Sequence, residues 1–107
     1  MNQLTDFHAG TTVMFTALLR LNAEAVDVRN DTVKLILSRQ RVWGKESPRI
    51  EFEGDTSGGS SGVVEFELTP EQTGEIEPGV YDYEITWERQ DQEFVPEKGV
   101  VRVLPRL

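Results

Sequence analysis

Tyr81-Asp82-Tyr83-Glu84-Ile85-Thr86-Trp87-Glu88 sets an aromatic or aliphatic side chain at every odd position and a polar one at every even position. Successive side chains leave a β-strand on opposite sides, so this period of two predicts a strand with one dry face. A helix would need its apolar residues three and four apart. The same period recurs on both sides of this stretch. Val13, Phe15, Ala17, Leu19 and Leu21 alternate along Thr11–Asn22, and Val33, Leu35 and Leu37 along Thr32–Arg39. Ile50 and Phe52 alternate with Glu51 and Glu53, and Val64, Phe66 and Leu68 with Glu65 and Glu67. Val101 and Val103 flank Arg102. Each run reads as a half-buried strand. The core predicted from these phases is Phe15, Leu19, Leu35, Leu37, Phe66, Leu68, Tyr83, Ile85, Trp87, Val101 and Val103.

Turn chemistry separates the runs. Asn30-Asp31 follows Asp27, Pro78-Gly79 precedes the Tyr81 strand, and Gln90-Asp91-Gln92 reads as a polar hairpin tip. Asp55-Thr56-Ser57-Gly58-Gly59-Ser60-Ser61-Gly62 reads as a flexible polar loop within the domain. Thr69-Pro70-Glu71-Gln72 has a capping Thr, Pro at the first helical position and an acid in the first turn, enough for one helical turn near 70–73. Short strands at regular spacing with almost no helix predict an all-β, antiparallel sandwich. No repeat or linker divides it, so residues 1–107 read as one domain.

Composition narrows the function more by exclusion than by assignment. Eleven basic against nineteen acidic residues give a net charge of −8, a field that repels nucleic acid and anionic membranes. The absence of cysteine removes disulfides, thiolate catalysis and Cys-based metal sites. The N-terminus shows no basic segment followed by an apolar one, which predicts no signal peptide and synthesis into the cytoplasm. Val13–Leu21 is broken by Thr16 and Arg20 and is too short to span a bilayer.

His8, the single histidine, lies before the first strong strand, with no nucleophile elbow around it and no second imidazole for a metal site. The Gly54–Gly62 loop lacks the lysine of a phosphate loop and no helix follows it. Glu51, Glu53 and Asp55 share one strand face, but alternating acids are the usual wet face of a strand, and no calcium-loop spacing is present. No cofactor, metal or catalytic constellation is expected. Arg39, Arg41, Lys45 and Arg49 surround Trp43. Arg39, Arg41 and Trp43 form a possible ligand patch that could stack on a sugar.

The segment Ala9-Gly10-Thr11-Thr12-Val13-Met14-Phe15 resembles the opening Gly-Asp-Thr-hydrophobic strand of small immunoglobulin-like modules in bacteriophage tail and baseplate proteins, such as the N-terminal module of upper baseplate proteins. Val26-Asp27-Val28-Arg29-Asn30-Asp31-Thr32-Val33 is similar to a second landmark of that family. Gly62-Val63-Val64-Glu65-Phe66-Glu67-Leu68-Thr69-Pro70-Glu71-Gln72-Thr73, followed by Glu77-Pro78-Gly79-Val80-Tyr81-Asp82-Tyr83-Glu84-Ile85, resembles its G-x-V-x-hydrophobic-x-L-T-x-E-x-T and P-G-x-Y-x-Y-x-hydrophobic motifs. Where the family has Gly-Asp-Thr and a Leu-Thr-Gly turn, this chain has Gly10-Thr11-Thr12 and Val28-Arg29-Asn30. The resemblance implies an immunoglobulin-like β-sandwich of about seven strands and a non-enzymatic structural or assembly role in a phage or prophage virion. Its partners would be other phage structural proteins or further copies of itself, without nucleic acid or membrane.

Two alternatives stand beside this expectation: a carbohydrate-binding module using the Trp43 patch, and an enzyme, for which no nucleophile–base pair is visible. The strand phases also predict a docking face. With Val33, Leu35 and Leu37 inward, Ile36 points outward; with Val101 and Val103 inward, Val100 and Leu104 do the same. In an immunoglobulin-like sandwich the third and last two strands share a sheet. Ile36, Val100 and Leu104 are therefore expected on one outer face, with Lys34 and Arg102 opposing Asp82 and Glu84.

Overall fold

The computed structural model describes residues 4–39 and 49–105. Among these the strands are β1 (Phe7–His8), β2 (Val13–Leu18), β3 (Arg20–Leu21), β4 (Glu24–Ala25), β5 (Thr32–Arg39), β6 (Arg49–Glu53), β7 (Val63–Leu68), β8 (Gly79–Arg89) and β9 (Gln92–Leu104). One short helix, α1 (Pro70–Gly74), lies between β7 and β8. The protein is all-β. Five strands form a sheet in the order β1-β9-β8-β5-β6, while β2 pairs with β7 and β3 with β4. β1 runs parallel to β9, and the other pairings are antiparallel.

The alternation places the core. β5 and β8 set Val33 opposite Trp87, Leu35 opposite Ile85 and Leu37 opposite Tyr83. β2 and β7 set Phe15 opposite Phe66 and Ala17 opposite Val64. These inward rows, with Val101 and Val103, form one buried cluster shared by the five-stranded sheet and the β2–β7 pair. The eleven core residues expected from the strand phases are all buried.

The structure corrects the sequence reading in two places and adds a feature the sequence does not signal. The Thr11–Asn22 run is not one strand: β2 ends at Leu18, and Arg20–Leu21 turns into a tight hairpin with Glu24–Ala25. Its turn residues Asn22 and Ala23 hold positive φ of 53° and 66°, the backbone a two-residue hairpin needs. Second, the Gly/Ser loop is built into the fold. It carries a 3-10 turn at Gly59–Ser61, and Gly59 is buried with its carbonyl accepting from the Val28 N–H at 2.9 Å. Gly62 follows at φ 83°, where a Cβ would strike the Leu19 carbonyl, so glycine is required there. Third, β9 carries a bulge. Ile85 faces Glu97 but Trp87 faces Phe94, leaving Val95 and Pro96 against Thr86 alone. A proline is tolerated there because the bulge releases a ladder N–H. The bulge switches the inward phase of β9, bringing Phe94 to 5.3 Å from the Trp87 ring.

Two features outside the phased strands close the ends. Thr69 and Gln72 exchange side-chain and backbone hydrogen bonds as a capping box on α1, and the buried Thr73 hydroxyl donates to the Thr11 carbonyl at 2.7 Å. At the N-terminus the Asp6 carboxylate accepts from the Arg102 N–H at 2.9 Å, fastening β1 to β9. No helix of the described residues is long and apolar enough to cross a membrane.

Candidate functional site

The outer face of the five-stranded sheet is assembled by the even-numbered side chains of β5, β8 and the end of β9. The register sets Ile36 beside Glu84 on β8 and Glu51 on β6. Glu84 stands opposite Lys98, and Asp82 opposite Val100. Between these rows lies a shallow depression of about 380 Å³, lined by Ile36, Ser38, Asp82, Tyr83, Glu84, Lys98 and Gly99. Gly99 lines the depression with its backbone. Its role is on the inner face, where a Cβ would come within 2.5 Å of the Tyr83 ring.

This geometry revises the expected docking face. Ile36 does point outward, but at 3% exposure it is the floor of the depression and not a protruding contact. Its neighbours across the ladder are Glu51 on β6 and Glu84 on β8. Val100 is 57% exposed and Leu104 half-buried beside His8. Asp82 and Glu84 separate Ile36 from Val100, and Arg102 separates Val100 from Leu104, so the three do not merge into one apolar patch. The expected charge pairing also differs. Lys34 faces Glu53 and Thr86, while Arg102 faces Val80 and pairs with Asp6 at 3.6 Å. The cation set against Glu84 is Lys98.

Of the ligand patch, Arg41 and Trp43 lie outside the described residues. Arg39 is engaged within the fold: its guanidinium binds Glu77 at 2.7 Å and lies against Gly79. Glu77 also accepts, through its backbone carbonyl, the Tyr81 hydroxyl at 2.5 Å. Burial, the larger effect, raises the Tyr81 phenol above its ordinary range, so it is a stable donor.

A second polar cluster caps the opposite end of β8. The Trp87 indole N–H donates to the Asp31 carboxylate at 2.9 Å, and Arg89 lies 3.6 Å from the same carboxylate. Arg89 also donates to the Asp27 carbonyl at 3.3 Å. The Asp27 carboxylate takes a fork of hydrogen bonds from Arg29, the shortest 2.7 Å. The Arg29 side chain, and then its backbone N–H, hold the Asp27 carboxyl down at about 2. These bonds join loop to strand and leave Trp87 satisfied within the core. His8 Nδ1 lies 3.4 Å from the Pro105 carbonyl, a local contact at the chain ends. Among the described residues no group of three or more His, Cys, Asp or Glu side chains is placed to hold a metal ion.

Sequence reading missed Leu4, Phe7, Val28 and Ile76 as buried residues. Each stands singly or in a two-residue strand, so no periodic signal marks it. The outer face combines a recessed apolar floor, two carboxylates and one ammonium on the rim, and an exposed valine beside them. Compared with known families and curated proteins, the chain matches no family model and no curated sequence.

Proposed function

We propose that the chain is a non-enzymatic, immunoglobulin-like docking module of a phage or prophage virion, associated with the tail or baseplate and acting through protein–protein contacts. The observation that carries this reading is the outer face of the five-stranded sheet, where the Ile36-floored depression adjoins exposed Val100. An apolar contact ringed by charge suits a partner side chain with an aliphatic stem and a polar end. The immunoglobulin-like assignment draws support from strand adjacency: β5 lies beside β8 and β8 beside β9, with the first short strand parallel to the last. The Tyr81 hydroxyl reaching back to the Glu77 carbonyl matches the tyrosine corner of such sandwiches. The virion role rests on the resemblance of Gly62–Ile85 to the phage modules.

Quantitative mass spectrometry of purified particles induced from a strain carrying the gene tests the role. The chain is expected in the particles at a fixed ratio to a tail protein. Particles lacking it, or a gene neighbourhood without capsid, tail or lysis genes, would sink the reading. Val100→Glu and Lys98→Glu are expected to lower incorporation while the purified variants stay folded.

A further inference from the structure

β2 is an edge. Among the described residues it hydrogen-bonds to β7 on one side and to no strand on the other. The direction of its free groups follows from one bond: the Leu19 N–H donates to the Gly62 carbonyl at 2.8 Å. In an antiparallel ladder the bonding direction alternates, so residues 13, 15 and 17 share the Leu19 direction and face β7. The N–H and C=O groups of Met14, Thr16 and Leu18 therefore point out of the free edge. Beside that edge opens a groove of about 340 Å³ between Ala17, Leu18, Leu19 and Arg20 on one wall and Pro96 and Glu97 on the other.

Natural edge strands are protected by charges, prolines, bulges or short length. β2 has six residues, Val-Met-Phe-Thr-Ala-Leu, with neither a charge nor a proline. Its outward side chains include Met14 at 78% exposure and Leu18 at 44%. The opposite edge of the same small sheet is blocked, because Glu65 of β7 exchanges backbone hydrogen bonds with Asp55. An unprotected edge on one side and a closed one on the other favours one added strand over open-ended growth.

We infer that β2 pairs with β2 of a second copy, antiparallel about a two-fold axis, with Thr16 opposite Thr16. Only even residues present free groups, so even must face even. Pairing Met14 with Leu18, Thr16 with Thr16 and Leu18 with Met14 uses the whole strand. It forms about six main-chain hydrogen bonds. The register is self-complementary: Met14 meets Leu18 across the seam and the two threonines meet at the axis, both favourable cross-strand pairs. Charge selects the same surface. In a molecule of net charge −8, β2 itself carries no charge, and the groove beside it sets one cation, Arg20, against one anion, Glu97. Glu65 and Glu67, opposite Thr16 and Met14 on β7, stay one strand away from the seam. The contact is smaller than a standard interface, so the dimer is expected to be weak, with a Kd on the order of 0.1 mM. It does not depend on the virion reading, and it uses the other sheet from the proposed docking face.

Sedimentation across a concentration series reads the equilibrium. Wild type is expected to dimerise, and Thr16→Lys, which sets two ammonium groups against each other at the axis, to weaken the dimer about tenfold or more. An equimolar mixture of Thr16→Lys and Thr16→Glu chains is expected to recover it. Met14→Lys, at a highly exposed position, serves as the second variant should Thr16→Lys disturb folding. Amide exchange supplies the register: Met14, Thr16 and Leu18 gain protection on concentration, while Phe15 and Ala17 are protected throughout. A wild type that remains monomeric into the millimolar range overturns the inference. So does a dimer that survives both lysine variants, or one that leaves the even-numbered amides unprotected.

Discussion

β8 and β2 show the same alternation in the sequence and hold opposite positions in the fold. β8 runs eleven residues between β5 and β9, so both rows of its backbone groups are bonded inside the molecule. β2 runs six residues and, among the described residues, has β7 alone. Both bury their odd side chains: Tyr81, Tyr83, Ile85 and Trp87 on β8, Phe15 and Ala17 on β2. The difference lies in the backbone edge, which alternation does not report. A period of two says which face is dry, and the number of neighbours decides whether a strand stabilises the fold or remains open to another chain.

The largest expected effect is at the centre. Ile85→Ala removes a fully buried side chain between Leu35 and the bulge of β9 and should cost about 2–5 kcal/mol in denaturant unfolding. A loss below about 0.5 kcal/mol would mean that the centre of β8 does not carry the core. Next comes Asp31→Ala, which leaves the buried Trp87 indole N–H without its acceptor. The expected cost is about 1–3 kcal/mol; if Asp31→Ala unfolds like wild type, the anchor at this end of β8 is dispensable. Tyr81→Phe deletes the hydroxyl bond to Glu77 at the other end, for about 1 kcal/mol in the same measurement.

On β2 the contrast inverts. Thr16→Lys should change monomer stability by no more than about 0.5 kcal/mol in dilute solution, because the residue's backbone makes no ladder bond to β7 and its side chain leaves the core. A loss of several kcal/mol would show that the edge is part of the packed interior. The smallest effect concerns pH. The Asp27 carboxyl lies near 2 in the fold against an ordinary 3.8. Its contribution is therefore complete above about pH 4 and is lost as pH falls through about 2. A carbon-detected titration should find that midpoint, with Arg29→Ala returning it toward 3.8. An unmoved midpoint in Arg29→Ala would assign the shift to another cause.

How much was legible follows the same division. Leu35, Leu37, Phe66, Leu68, Tyr83 and Ile85 were readable because a strand repeats its instruction every two residues. Leu4 and Phe7 were not. Their place depends on β9, whose Arg102 lies 96 residues from Asp6 in the chain, and a two-residue strand has no period to detect. The bulge at Val95–Pro96 hid the inward turn of Phe94 by breaking phase within one strand. Ile36 takes the outer face that the phase of β5 predicts but is buried there, because it lies between neighbours on two other strands. Of the ligand patch, the sequence showed cations near one another and could not show that Arg39 is occupied by Glu77.

The sequence by itself determined the all-β character, the inward side of β5, β7 and β8, the capped helical turn at Thr69–Gly74 and the polar hairpin tip at Gln90–Gln92. Each is dictated by residues adjacent in the chain, through side-chain alternation, capping and turn chemistry. Only the tertiary structure decided the sheet order, the parallel pairing of β1 with β9, the depression over Ile36 and the open edge of β2. Those depend on which strands meet, and that choice is made by packing one shared core from segments far apart in sequence, where no local pattern records the partner.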